Sequence, residues 1–302
     1  MPAVTALRLA DHGPSIARYA PVDDMALAFD GYRAFAQAVL PASLIPAGTA
    51  GGAAFSLTFW LNVQPVLEKG ADPPTISGPM VVADIRGARG PLATWSIERD
   101  LTLGFAVPGS APGALAVDLR PYLRRWVFVV SVYGPPADDH PHGQVGLLVS
   151  DGGPVRAPVT AELEITPNPA AEDRLLTVGN LPTAQYPEGL PDLGPLTGMI
   201  TRMRLWTVAL SSAAAAAHMY DAPIGPKGGA RQSLAGDWRM NEGYGVTAFD
   251  YADPGPGTLP VRYQPPTGNH LRLGDGEPGT EPAWIIADLV TLVRKTATAE
   301  AP

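Results

Sequence analysis

The sequence contains no cysteine among its 302 residues, which excludes disulfide frameworks and zinc sites with cysteine ligands. Charged side chains are scarce, at 17% against about a quarter in an average soluble domain. The net charge of −8 argues against a nucleic-acid partner, because phosphate binding requires a basic surface. Long proline-free stretches are also rare. With 33 glycines and 34 prolines, the chain is a poor candidate for helical bundles and coiled coils.

The N-terminus lacks the uninterrupted apolar segment of a signal peptide, since Arg8, Asp11 and His12 lie where that segment would stand. Apolar runs of the roughly 18 residues needed for a membrane helix are missing as well. We therefore expect no membrane span. We also expect a protein that is cytoplasmic, or that is exported or assembled without a cleaved signal peptide.

Alternating apolar and polar residues predict β-strands. In the run from Phe55 to Val63, every second residue is apolar, and such a period over nine residues is typical of a strand. Similar runs occupy residues 80–85, 101–107, 126–133, 145–150, 175–178 and 199–206. Many short strands between Gly- and Pro-rich turns predict an all-β antiparallel sandwich. Helix is minor: residues 211–220, where a serine precedes a run of alanines, predict two or three turns, and residues 288–296 suit either a short helix or an edge strand.

Seven segments of the chain follow one another in a recognisable order. They are ALAFDG (26–31), AFSLTFWLNV (54–63), RWVFVVSVYG (125–134), VGLLVSDGG (145–153), LLTVGN (175–180), LTGMITRMRLWTVALS (196–211) and GDWRMNEGYGVTAFD (236–250). In this order they resemble the laminin-G-like domains of the concanavalin A-like lectin/glucanase superfamily. The resemblance departs from the family pattern at Thr201, where an acidic residue is common.

The resemblance implies a jelly-roll sandwich of two curved antiparallel sheets, with minor short helices. We predict an N-terminal arm over residues 1–25, the sandwich over 26–273, and a C-terminal extension over 274–302. Because this fold carries lectins, adhesion modules, structural parts and some hydrolases, it implies no single activity.

Glycoside hydrolysis is the first enzymatic activity to consider. Hydrolases of the superfamily carry carboxylates on alternate residues of one strand, and a retaining pair lies about 5–5.5 Å apart. Glu162 and Glu164 alternate in this way, but Pro167 stands near the place of a third carboxylate. A solvated strand edge is the better interpretation, so we expect no catalytic residue and no enzymatic activity.

A metal site is a second possibility, at the cluster Asp138, Asp139, His140 and His142. Two carboxylates and two imidazoles can hold a divalent ion if the loop folds back on itself. The alternative is a solvated hairpin tip, since prolines and a glycine flank the cluster. Calcium is common in related lectins and remains a possible cofactor. Its candidate ligands in loops or at strand ends are Asp84, Asp151, Asp250 and Asp253.

Four aromatic residues are candidates for stacking on a sugar, because we expect them at strand ends or in loops. They are Trp95, Tyr133, Tyr186 and Tyr244. Tyr244 lies in the sequence Asn-Glu-Gly-Tyr-Gly (241–245), a hallmark of the family. There we expect the glycines to permit a tight turn and Glu242 to accept amide hydrogen bonds.

Two functions remain open. The first is a non-catalytic binding module that recognises a glycan or a protein partner through loops or the concave sheet. The second is a structural or assembly subunit, such as a decoration or fibre component of a larger particle. It is favoured by the sparse charge, which suits self-assembly and protein contacts. A glycoside hydrolase is a third, less favoured alternative.

Overall fold

The computed structural model describes residues 25–41, 54–88, 90–111, 113–138, 141–152, 158–164, 173–181, 193–219, 233–252 and 267–287. Sixteen strands lie within these ranges: β1 (Met25–Asp30), β2 (Ala36–Leu40), β3 (Phe55–Val63), β4 (Met80–Gly87), β5 (Gly90–Ile97), β6 (Thr102–Ala106), β7 (Ala116–Asp118), β8 (Trp126–Gly134), β9 (Gln144–Ser150), β10 (Val159–Glu162), β11 (Arg174–Val178), β12 (Thr197–Trp206), β13 (Leu234–Trp238), β14 (Thr247–Asp250), β15 (Thr267–Leu273) and β16 (Ala283–Ile286). One α-helix, α1 (Ser212–His218), and a 3-10 turn at Arg120–Tyr122 complete the described elements. None of the helical segments in these ranges has the length and apolar character needed to cross a membrane.

The strands form two antiparallel layers that are joined at one corner. The first layer has the order β10-β9-β8-β3-β12-β13, and β1 and then β16 extend it from β12. The second layer has the order β14-β15-β2-β11-β4-β5-β6-β7. A single residue pair, Trp238 with Asp250, joins β13 to β14, while β6 and β7 lie against β9 on the opposite side. This arrangement confirms the predicted all-β antiparallel sandwich.

The main core lies between the two layers, and β3 shows how the sequence builds it. Phe55, Leu57 and Phe59, with every second residue after them, belong to this core. The strand has the bounds that its alternation predicts. The strand β16 pairs with β1, so residues 283–286, which follow the predicted sandwich boundary, contribute to the first layer.

The outer face of the first layer is buried as well, because α1 and neighbouring segments cover it. Trp60 and Trp126 lie on this face in a second apolar cluster. Each indole nitrogen donates a hydrogen bond to a backbone oxygen, from Trp60 to Met219 at 3.1 Å and from Trp126 to Ala287 at 2.6 Å. The helix begins after Ser211, whose hydroxyl accepts the amide of Ala214 at 3.2 Å, as the serine in the sequence predicts.

Candidate functional site

The connection between β13 and β14 presents an exposed aromatic ring. We call residues 241–246 the Tyr244 turn. Tyr244 is 79% exposed and Val246 is 50% exposed. Gly243 and Gly245 have φ values of +73° and +78°, in the left-handed region that favours glycine. The two glycines therefore close the turn, as the sequence predicts, and leave the tyrosine between them directed to the surface.

Glu242 anchors the turn to β14 from below. Its Oε1 accepts the backbone amide of Phe249 at 2.9 Å and the hydroxyl of Tyr251 at 3.3 Å. Burial raises the pKa of the Glu242 carboxyl above its usual value, and the amide hydrogen bonds act against this rise. Burial and the nearby Glu242 raise the pKa of Tyr251 to about 12. Tyr251 therefore keeps its proton and serves as the donor in this contact. The predicted role of Glu242 as an acceptor of amide bonds is confirmed.

Two further hydrogen bonds fix the far side of the turn. The indole nitrogen of Trp284 donates to the carbonyl oxygen of Gly245 at 2.8 Å. The amide of Leu273 donates to the carbonyl oxygen of Val246 at 2.9 Å. Together with Glu242, these contacts hold the Tyr244 turn on both sides, so that little conformational entropy remains to be lost when a ligand binds.

A buried ion-pair network lies behind the turn, on β12 and β13. The carboxylate of Asp237 is 1% exposed and accepts hydrogen bonds from Arg204 Nε at 3.0 Å and from Arg239 Nε at 2.9 Å. Burial alone would raise the pKa of Asp237, but the two guanidinium groups outweigh burial and hold it below its usual value. Arg239 also lies over the ring of Tyr251, 4.6 Å from its centre. Through Arg239 and Tyr251, the network therefore links Glu242, which holds the Tyr244 turn, to the first layer.

The structure corrects the prediction for Trp95. This residue lies in the middle of β5 rather than at a strand end, is 0% exposed, and belongs to the core between the layers. Its ring stacks on Phe105, with 5.0 Å between the ring centres. No face of the indole is open to a sugar, so its assignment to a stacking site is wrong.

Tyr133 is also corrected. It is 4% exposed, and its ring packs beside Phe55 at a centroid distance of 5.6 Å. Burial raises the pKa of its hydroxyl. Tyr133 therefore serves packing rather than ligand stacking. Tyr186 lies outside the described residues, and Tyr244 is the one of the four that the structure places at the surface.

The candidate metal ligands are only partly described. Asp138 and His142 are exposed, whereas Asp139 and His140 lie outside the described residues. Across the described ranges, no group of three or more His, Asp or Glu side chains is placed to hold a metal ion. The metal cluster and the calcium site therefore stay predictions.

Two of the other candidate calcium ligands have hydrogen-bond or ion-pair partners. Asp84 accepts hydrogen bonds from Thr94 and Arg86, and Asp151 lies 3.7 Å from Arg125. Asp253 lies outside the described residues. Glu162 and Glu164 are exposed on either side of the buried Leu163, which agrees with a solvated strand edge.

Sequence reasoning missed Trp284 and the ion-pair network. Trp284 follows a Gly- and Pro-rich stretch, so the short strand β16 was not predicted. Arg204 and Asp237 are charged residues in strands, a pattern that ordinarily indicates a solvent-facing side. The helix α1 and neighbouring segments, packed outside the first layer, make that side an interior.

Comparison with known proteins gives structural neighbours only. No protein-family model and no curated protein matches the sequence. A Bacteroides ovatus protein described as carbohydrate-binding matches with a TM-score of 0.48 and 17% identity, over 75% of this chain and 55% of that chain. A SAP-like pentraxin of Limulus polyphemus matches with a TM-score of 0.46 and 13% identity, over 69% of this chain and 88% of that one. The LG4-5 domains of the mouse laminin α1 chain match with a TM-score of 0.37 and 16% identity, over 62% and 44%.

This chain thus spans about half the length of the Bacteroides ovatus protein. The resemblance to the concanavalin A-like superfamily rests on the seven sequence segments alone and stays a prediction. The narrower assignment to laminin-G-like domains stays a prediction. Because all three TM-scores lie below 0.5, the function is inferred below from this chain's own residues.

Proposed function

We propose that this protein is a non-catalytic binding module that uses the Tyr244 turn to hold a glycan or a protein partner. The observation that carries the proposal is a tyrosine 79% exposed on a turn that hydrogen bonds fix from both sides. An exposed aromatic ring on a rigid support is a natural binding anchor.

The chemistry of tyrosine suits this role. Its ring offers an apolar face to the C–H face of a sugar or to an apolar side chain, and its hydroxyl remains able to form hydrogen bonds. It has only two side-chain torsions, so that little freedom is lost on binding. Val246, two residues further along the turn, is also exposed and adds apolar surface.

The test is a glycan array probed with the wild type and with Tyr244→Ala. Tyr32→Ala is the matched control, because Tyr32 is 68% exposed and follows the C-terminal end of β1, whereas Gly243 of the Tyr244 turn lies beside Met25 at the start of that strand. Loss of an aromatic contact of about 1.5–3 kcal/mol predicts roughly 10- to 100-fold weaker binding for Tyr244→Ala. Tyr32→Ala should bind like the wild type. Equal binding by all three proteins would contradict the proposal.

A structural or assembly subunit is the second candidate function. It is favoured by Ile286, which is 61% exposed on β16, the last strand beyond β1 in the described sheet. Exposed apolar residues on a terminal strand are typical contact points between copies. Light scattering after size exclusion separates the two candidates. A 31.5 kDa monomer favours the binding module, and a large species that Ile286→Lys dissociates favours assembly.

A further inference from the structure

Three side chains with complementary chemistry follow one another across neighbouring strands of the second layer. Gln37 on β2 directly opposes Thr177 on β11, and Thr177 directly opposes Asp84 on β4. The sequence neighbours of Thr177, Leu176 and Val178, belong to the core, so Thr177 lies on the face of the sheet directed away from it. An amide, a hydroxyl and a carboxylate therefore stand side by side on that face.

The amide of Gln37 contacts the hydroxyl of Thr177. Gln37 Nε2 donates a hydrogen bond to Thr177 Oγ1 at 3.3 Å. Because Nε2 is bonded directly to Cδ, with a bond length of about 1.33 Å, Cδ lies at most about 4.6 Å from the hydroxyl oxygen. A small change in the side-chain torsions brings the two atoms to the distance of about 3–3.5 Å from which a nucleophile attacks. The two groups that an acyl transfer joins are therefore already in contact.

Asp84 has the surroundings of a general base. It is 0% exposed, its Oδ1 accepts the hydroxyl of Thr94 at 2.7 Å, and its Oδ2 accepts Nε of Arg86 at 3.2 Å. Each carboxylate oxygen has two lone pairs and can accept a further proton. Burial raises the pKa of the Asp84 carboxyl above its usual value, while the bonds from Thr94 and Arg86 act against this rise. A raised pKa makes the carboxylate a stronger base.

Burial also keeps water, the competing nucleophile, away from the site. Thr177 is 1% exposed and Asp84 is 0% exposed, so that the threonine hydroxyl is the nucleophile nearest the amide carbon. Gln37 is half-buried, which leaves a way out for a small product. The site therefore favours transfer of the acyl group to Thr177 over hydrolysis.

We propose that Thr177 and Gln37 form an intramolecular ester cross-link between β11 and β2, with Asp84 as the general base. Asp84 accepts the proton of Thr177 Oγ1, and Oγ1 forms a bond to Gln37 Cδ. The bond between Cδ and Nε2 then breaks, and Nε2 takes the proton from Asp84 and leaves as ammonia. The step consumes one hydroxyl and one amide, yields one ester and one ammonia, and requires no oxidant or other reactant.

The geometry of the sheet suits this link. Directly opposed residues have Cβ atoms about 4.5–5.5 Å apart, a distance that the three atoms Oγ1, Cδ and Cγ bridge. The link joins residues 140 positions apart in the sequence, and a covalent link over so long a segment restricts the unfolded chain. The sequence contains no cysteine, so a disulfide cannot supply such a link. The cross-link goes beyond the proposed function and does not depend on the Tyr244 turn.

Mass spectrometry of the full-length protein tests the cross-link. The denatured protein is expected to have a mass lower than that of its sequence by one molecule of ammonia. Trypsin cleaves after Arg33, Lys69, Arg174 and Arg202, so the cross-link should join peptides 34–69 and 175–202 into one species. Hydroxylamine cleaves esters and leaves peptide bonds intact, and it should therefore separate the two peptides.

Variants assign the role of each group. Thr177→Val and Gln37→Ala should keep the full mass, whereas Thr177→Ser retains a hydroxyl and should still lose ammonia. Asp84→Asn should form the cross-link about 10²- to 10⁴-fold more slowly. Thr58→Val is the matched control, because Thr58 is 2% exposed and its Oγ1 also accepts a side-chain N–H, from Trp206 at 3.3 Å. This control should lose ammonia like the wild type, and circular dichroism checks that every variant is folded.

Three results would overturn the inference. The first is a wild type that keeps the full mass of its sequence, with peptides 34–69 and 175–202 separate, after prolonged incubation at neutral pH. The second is a loss of ammonia that persists in Thr177→Val, since it would then arise elsewhere in the chain. The third is a cross-link that forms at the wild-type rate in Asp84→Asn, which would contradict the assigned base.

Discussion

The carboxyl group of Asp250 is held in an environment that suits its protonated form. It is 1% exposed, and its Oδ1 accepts the amides of Asp237 and Ala252 at 2.8 and 2.9 Å. Among the described residues, Oδ2 has no partner in hydrogen-bonding geometry, although the Asn269 side chain lies near enough to oppose the pKa rise. Burial, aided by the charge of Asp237, raises the pKa of Asp250 from 3.8 to about 6.

This rise translates into a free-energy penalty that depends on pH. A difference of about two pKa units corresponds to about 3 kcal/mol. Because the folded state holds the proton more tightly than the unfolded chain, the penalty is absent at low pH. It develops as the pH rises from 3.8 to about 6 and is complete above that. At pH 4 only about 0.5 kcal/mol of the penalty is present.

Asp250→Asn removes the charge and keeps an oxygen that can accept both amides. We compare the free energy of unfolding of the variant with that of the wild type at each pH. The difference should shift towards a more stable variant by about 2 kcal/mol between pH 4 and pH 7.5. Urea unfolding at the two pH values measures this difference. The unpartnered amide group of the new asparagine contributes equally at both pH values, so it cancels in the comparison.

Asp237→Asn is the matched control, because the pKa of Asp237 is lowered by Arg204 and Arg239. Its carboxylate stabilises the fold above the unfolded pKa, and this stabilisation is lost as the pH falls through the lowered value. Asp237→Asn leaves the buried guanidinium groups of Arg204 and Arg239 without their counter-charge. We therefore expect the free energy of unfolding to fall by about 3–5 kcal/mol at pH 7.5. An Asp250→Asn effect that is the same at both pH values would refute the reasoning for Asp250.

Two further predictions concern packing and capping. Gly179 has φ +83°, and an added Cβ would collide with the ring of Phe29, so Gly179→Ala should lower the free energy of unfolding by at least about 2 kcal/mol. A loss below about 0.5 kcal/mol in urea unfolding would show that the ring moves aside freely. Ser211→Ala removes the hydroxyl that accepts the Ala214 amide and should destabilise the fold by about 1 kcal/mol. Ser211→Asp should retain most of the stability, and equal losses in both variants would argue against capping.

The features that the sequence predicts well are those set by local chemistry. The alternation from Phe55 to Val63 gives β3 its bounds, and the glycines on either side of Tyr244 give the turn its backbone. In these cases a few neighbouring residues determine the conformation, so the pattern is visible in one short segment.

The features that escaped prediction depend on contacts between distant segments. Trp95 was expected at a strand end or in a loop, yet the pairing of β5 with β4 and β6 places its ring in the core. Gln37 and Arg272 become neighbours through strand order alone, where β2 pairs with β15. No local pattern brings residues so far apart in the chain onto one face of the sheet.

The claim that the Tyr244 turn belongs to the ligand-binding surface is tested most directly by amide hydrogen exchange, with and without the glycan that binds the wild type most tightly. We predict slower exchange in residues 243–246. The exposed segment around Tyr32 should remain unchanged. Protection that is confined to β9 and β10, with the Tyr244 turn exchanging as in the free protein, would contradict the account.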